Sequence, residues 1–474
     1  LEEIRFFFSP SDQGNGTIEL KIFDSSDRIQ PITRSTLDSD EISRPAWYSI
    51  AIDPQEGSNL QDYYLELTIS DQDELKVGAG YSDSYLDGSL YLNRVPTDKQ
   101  IAFQLGYRVS EAIKGIGKEI LNWAVISISA VFLFVIPCWL ILGVLWEEWS
   151  SFHWLEKLGY GVGLSLAIYP ILFLWFKLLQ LQPGIWIALI PVLVSSLLYV
   201  RVKRDEIKSF RIRNISPGSI FSWQTITLFI LIGLIFAIRF WVVRTLLTPQ
   251  WGDGYQHTMI TQLIMDNKGL FEEWSPYAEL QTFTYHFGFH ATSALLGWLT
   301  SSTPGAAVIY MGQIINGLAV LSLFTLSMRI RRSVLAGTIT ILLAGLLLNM
   351  PMFFVNWSRY TQLAGLAILA IFASACWRYL RAEKFSLSGL LISSLLLAGL
   401  GLTHYRVLII AGVFIFAFIL LYFKSLTLQS FAVRVIALAA TTFAAVLPWV
   451  INVFSGKLTD ILEYQVSSPA SQIN

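Results

Sequence analysis

The run NWAVISISAVFLFVIPCWLILGVLW, Asn122–Trp146, holds 25 residues and no charge. A helix needs about 20 apolar residues to cross a hydrocarbon core of about 30 Å, so this stretch is long enough to span a bilayer. Similar runs follow near 158–179, 183–200, 223–245, 306–328, 334–350, 360–380, 387–403, 407–423 and 431–451, predicting about ten spans. The composition agrees, because a chain that is 54% hydrophobic and 14% charged is not an ordinary soluble domain.

Charge divides the chain. Residues 1–120 carry 21 acidic and 11 basic side chains, a net of −10, whereas 121–474 carry 13 and 22, a net of +9. The basic residues of the second part stand in short clusters between apolar runs, which is the positive-inside pattern of a membrane protein and not a nucleic-acid patch. RVKRDEIKSFRIRN (201–214), RIRR (329–332) and RAEK (381–384) are therefore expected on the cytoplasmic side. The N-terminal part, the loop 246–283, PMFFVNWSRY (351–360) and THYR (403–406) are then expected on the extracytoplasmic side of a cell membrane. YHFGFHATSALLGWLT (285–300) is short and polar at its start, and reads as a re-entrant or interfacial helix on that side.

Residues 1–108 read as all-β. EEIRFFFSP, GTIELKIFD, AWYSIAID, DYYLELTIS and KQIAFQLGY alternate or are rich in aromatics, with turns such as SDQGNG and LDGS between them. The expectation is an all-β sandwich, jelly-roll-like. It would be followed by a connecting helix (109–121), accessory transmembrane helices (122–214) and a membrane module (215–474). Asn15-Gly16-Thr17 has the form of a glycosylation sequon, with chance as its plainer explanation. The absence of an initial Met suggests a lost leader, and the chain stops at Asn474, just past an apolar run, where a continuation is expected. Cys138 and Cys376 lie in apolar runs and offer no disulfide framework.

Four of the five histidines, His257, His286, His290 and His404, fall on the expected external side, near Asp253, Arg359 and Arg406; His153 falls in a cytoplasmic turn. Charges at membrane depth are costly unless they face a cavity or a partner. The central stretch is WGDGYQHTMITQLIMDNKG (251–269). In a helix beginning near Gly254, Asp253 shares a face with His257, Ile260, Thr261 and Ile264, while Asp266 points elsewhere. Asp253 is thus the carboxylate that pairs with His257. The residues alone leave open whether it is an N-cap or a catalytic group.

His286 and His290 form an i,i+4 pair that could hold a divalent metal with Asp253 or His257, or could orient a substrate. Arg359 and Arg406 suit phosphate binding, or snorkelling at helix ends. The same two readings apply to Arg239 and Arg244. Trp123, Trp139, Trp146, Trp149 and Trp154 are expected in the interfacial belt. No zinc-protease signature, Walker loop, nucleophile elbow or dinucleotide fingerprint is present.

The loop after a span, with Asp253, His257, Gly269 and then WSPY (Trp274–Tyr277), resembles the GT-C superfamily of membrane glycosyltransferases, particularly oligosaccharyltransferase-like and protein-mannosyltransferase-like members. The likeness covers roughly 220–474. It implies inverting transfer of a sugar from a polyprenyl-phosphate-linked donor to a protein, lipid or glycan acceptor, with Asp253 as base and His257 in support. Trp274 and Tyr277 belong to the same motif. Asn356, Trp357, Tyr360 and Gln362 resemble sugar-contacting side chains, and Arg359 and Arg406, with His286, His290 and His404, would complete the substrate site. The sandwich resembles, in pattern, the carbohydrate-binding-like domains attached to some of these enzymes. Many relatives carry a second carboxylate beside the loop Asp, where this chain has Gly252 and Gly254. The rival readings are a transporter or flippase of a lipid-linked or sugar substrate, and a non-catalytic membrane anchor for the sandwich.

Overall fold

The computed structural model describes residues 1–10, 16–55, 57–58, 61–70, 75–81, 88–205, 222–279, 281–422 and 428–455. Asn15 of the sequon and 206–214 of the first basic cluster lie outside the described residues. The chain forms two compact units, Leu1–Asn122 and Trp123–Asn474.

In the first unit, β1 (Glu3–Ser9) pairs antiparallel with β4 (Ala46–Ala51) and β11 (Phe103–Gly106), and its end also pairs with β6 (Lys76–Val77). A second sheet has β2 (Thr17–Phe23) between β3 (Thr33–Asp38) and β5 (Tyr64–Ser70). Alternation decides which side faces in: Ile4, Phe6 and Phe8 of β1 and Ile18, Leu20 and Ile22 of β2 enter one shared core. β3 was absent from the expected strands because TRSTLD buries only Thr33 and Leu37. The expected strand KQIAFQLGY divides at Ala102. Its first part, β10 (Lys99–Ile101), pairs with β7 (Ala79–Tyr81), and the remainder is β11. The short pair β8 (Tyr91–Leu92) and β9 (Val95–Pro96) completes the described strands.

From Val109 onward the described chain is helical. α1 (Val109–Phe134) is continuous, so the expected connecting helix is the N-terminal part of the first apolar helix, and α2 (Ile136–Leu145) follows after Val135. Then come α3 (Trp154–Leu178), α4 (Trp186–Val202), α5 (Trp223–Val243), α6 (Trp251–Asp266), α7 (Gly288–Thr300), α8 (Pro304–Arg331) and α9 (Val334–Leu342). The last four are α10 (Tyr360–Arg381), α11 (Leu387–Thr403), α12 (Tyr405–Tyr422) and α13 (Leu428–Phe454).

Among the described residues six helices are long and apolar enough to cross a membrane, fewer than the expected ten. The shortfall is one of length. Trp186–Val202, Val334–Leu347, Leu387–Thr403 and Tyr405–Leu421 are apolar but no longer than 17 residues. At 1.5 Å per residue such a helix reaches about 26 Å, short of a core of about 30 Å.

One hydrophobic core runs from Ile126 to Trp449, so helices on both sides of position 215 belong to one body. α3 packs against α8, α10 and α11. Gly399 of α11 allows the closest approach, because a Cβ there would overlap the Ala167 backbone of α3. Trp146 and Trp149 are buried against Phe152 and Tyr160, not exposed in an interfacial belt. His153 caps α3: its Nδ1 accepts from the Leu155 amide at 3.3 Å while Glu156 accepts from the His153 amide at 3.0 Å. Arg239 is buried on the Gly345 carbonyl, and Arg244 stacks over Trp241, so both have partners within the protein.

Gly399→Ala is expected to destabilise the bundle by about 1–3 kcal/mol through overpacking. Gly412→Ala, where a Cβ meets nothing within 4 Å, should be neutral or slightly stabilising. Melting temperatures of the two variants in detergent check the contrast.

Candidate functional site

α6 begins at Trp251, three residues earlier than expected, with Gln250 at the N-cap and Trp251 at φ 66°. Asp253 therefore lies inside the first turn, where a carboxylate complements the helix dipole, and it is not the cap. Gly252 and Gly254 are helical and do not make a turn. Only Gly254 is held by close contact, since its Cβ would stand 2.7 Å from Ser358 Oγ. The buried face of α6 carries His257, Ile260, Thr261 and Ile264, as the periodicity predicts, and Asp266 faces away and accepts from Gln262. Gly269 closes the helix by donating its amide to the Ile264 carbonyl at 3.1 Å.

The expected Asp253–His257 pair is replaced by two separate pairings. Asp253 Oδ2 lies 3.3 Å from Arg359 Nη1, with the side chains 42% and 51% exposed. His257 has both ring nitrogens engaged elsewhere, Nε2 with the Ser358 carbonyl at 2.9 Å and Nδ1 with His290 Nε2 at 2.8 Å. A carbonyl can only accept, so His257 Nε2 carries the proton. In the neutral ring Nδ1 then accepts from His290 Nε2–H. His290 Nδ1 is buried on the other side of its ring.

His286 lies beneath Tyr285, rings stacked at 4.0 Å, and packs against His404 and Tyr405. Both of its ring nitrogens are buried and unpartnered. His404 begins α12 and accepts from the Val407 amide at 3.3 Å, a capping role. Burial pushes His257 down to about 4 and His286 to about 3, and takes His290 well below its ordinary value. His257, His286, His290 and His404 thus come together beneath the surface, and burial disfavours the protonated form of each.

Above that layer the charges are exposed. Asp253, Arg359 and Arg406 all act electrostatically on Tyr285, whose hydroxyl burial raises above its ordinary value. Tyr285 and Ser358 were not among the expected residues, although Ser358 directly precedes Arg359 in NWSRY.

The other expected contact residues differ in their surroundings. Tyr360 is buried, parallel to Phe289 at 5.2 Å and against Gly312. Trp274 donates its indole N–H to the Thr282 carbonyl and packs on Phe271 and Phe283, so it shapes its own loop. Tyr277 is exposed beside it, with its amide bonded to the Trp274 carbonyl, and Gln362 is half-buried. Among the described residues no group of three or more His, Cys, Asp or Glu side chains is arranged to hold a metal ion. Within the possible set of Asp253, His257, His286 and His290, His257 and His290 direct their facing nitrogens at each other.

Comparison of the chain with models of known families, with curated proteins and with solved structures finds no match in any of the three.

The neutral layer carries a pH signature. Folding depresses these imidazoles below the ordinary 6.5, so the folded chain binds fewer protons than the unfolded one between pH 6.5 and about 4. Stability is full above that window and falls as pH drops through it, by roughly 2 kcal/mol for His257 at pH 5. The melting temperature should fall between pH 7 and pH 5, and His286→Phe should flatten part of that slope. An equal slope in the variant would contradict the reading.

Proposed function

We propose that the chain is a membrane glycosyltransferase that moves a sugar from a polyprenyl-phosphate-linked donor to an acceptor hydroxyl on the extracytoplasmic face. The observation that carries this reading is the exposed Asp253–Arg359 pair, which shares the surface at Tyr285 with a second guanidinium, Arg406. A carboxylate base beside two cations suits a reaction in which a hydroxyl loses a proton as a phosphate departs.

In this mechanism Asp253 accepts the acceptor's proton. The acceptor oxygen bonds to the anomeric carbon from the side opposite the phosphate, and the carbon–oxygen bond to the phosphate breaks with inversion. The electron pair leaves with the polyprenyl phosphate, whose charge Arg359 and Arg406 stabilise, Arg359 turning from the carboxylate toward the phosphate. The substrate's lipid chain would lie in the bilayer beside the bundle. The four shorter apolar helices would bring the spans to about ten, and the basic helix ends would face the cytoplasm. The sheet unit is then a sandwich of the carbohydrate-binding-like kind.

Asp253→Asn in proteoliposomes should lower transfer from a polyprenyl-phosphate sugar by at least a hundredfold. Arg406→Ala should chiefly raise KM for the donor. Full transfer by Asp253→Asn would sink the mechanism.

A further inference from the structure

Between α9 and α10 the chain leaves regular helix and crosses to Asp253 as a strap, residues 343–359. It starts as π-helix at Leu343–Leu347, extends at Leu348 (φ −92°, ψ 143°), makes one turn at Asn349–Met352 with Met350 extended, and reaches Arg359 through further turns. Each departure from helix frees carbonyls, and in a bundle that excludes water a freed carbonyl needs a donor. Three side chains on three different helices supply donors. Arg239 of α5 donates to Gly345 O at 2.8 Å, Asn316 of α8 to Met352 O at 3.2 Å and His257 of α6 to Ser358 O at 2.9 Å.

The last pin is doubled. Ser358 Oγ donates to the Gln250 carbonyl at the start of α6. Ser358 has φ 52°, a left-handed conformation strained for a residue with a Cβ. Its side chain and its carbonyl therefore both reach α6, one at Gln250 and the other at His257.

We propose that this pinned strap is the positioning device of the site, with His257 as its decisive pin. By holding the Ser358 carbonyl, His257 fixes the peptide that carries Arg359 and so sets the guanidinium against the Asp253 carboxylate. His257 acts through the backbone on the cation, and does not act directly on the carboxylate. The catalytic consequence rests on the glycosyl-transfer reading; the geometry does not.

Hydrogen exchange of the full chain in detergent, read on peptides covering 343–359, tests the geometry. His257→Leu is expected to speed exchange about tenfold in the 353–359 turn, with the rest of the bundle unchanged. His257→Gln, which keeps a donor, should restore most of the protection. Ser358→Ala is a milder second variant that loses only the hydroxyl pin, and it should speed exchange severalfold.

Transfer assays in proteoliposomes with a polyprenyl-phosphate sugar read the consequence. In His257→Leu, kcat should fall about tenfold and KM for the donor should rise, with the Gln variant recovering to within a few-fold. Unchanged exchange in both His257→Leu and Ser358→Ala overturns the proposal. Faster exchange with unchanged kcat and KM also overturns it, since the strap would then be structural alone. If the wild-type chain or Asp253→Asn contradicts the transfer reading, that reading fails, and the exchange measurements still decide whether the strap is pinned.

Discussion

The hydrogen bond from His257 Nε2 to the Ser358 carbonyl joins three parts of the bundle that are distant in sequence. α6 supplies the imidazole, the turn before α10 supplies the carbonyl that fixes its tautomer, and α7 supplies His290, whose Nε2 meets the other ring nitrogen. The requirement behind it is general in a water-excluding interior: an acceptor released from secondary structure must find a donor or cost stability. A neutral imidazole meets that need with a directed N–H, whereas a buried ion would add a large desolvation penalty.

The same requirement organises the other end of the helices. Arg434 of α13 donates to the carbonyls of Tyr379 and Leu380 at the end of α10, and to that of Glu383 just beyond, while the Tyr379 hydroxyl donates back to the Arg434 carbonyl. A cation at a helix C-terminus also complements the dipole. Arg378, near that end, pairs with Glu148 and lies over the Phe152 ring. Each basic cluster expected from the sequence to mark a membrane side coincides, where described, with a helix C-terminus. The residues that suggest an orientation in the sequence are thus also residues that complement helix C-termini.

The sequence made the apolar helices, the core-facing sides of β1 and β2 and the buried face of α6 legible, because each depends on a local period. The gathering of His257, His286, His290 and His404 was legible only as an expectation that they fall on one side. Which nitrogen meets which atom was not, since His257 and Ser358 are 101 residues apart. Asp253 was assigned the wrong partner for a specific reason. Helical periodicity compares residues within α6, and Arg359 comes from another segment. The start of α6 was placed late because glycines are weak helix formers and hide a helix start, whereas Gly254 is needed for contact with Ser358. Trp146 and Trp149 were assigned to the interface because burial at a span end depends on neighbours such as Phe152 and Tyr160.

The vertical order of charge is the remaining consequence. Asp253 and Arg359 stay about half exposed, while the imidazoles of His257, His286 and His290 are buried. Moving the ion pair down to the histidine level would trade solvation for Coulomb attraction, an exchange that commonly fails to repay its cost. Placing neutral donors below instead lets the interior hold the backbone rigidly while the charges remain open to a ligand. The arrangement thus separates two duties. The imidazole layer sets where the backbone lies, and the exposed carboxylate and guanidinium are left able to exchange their partner for another.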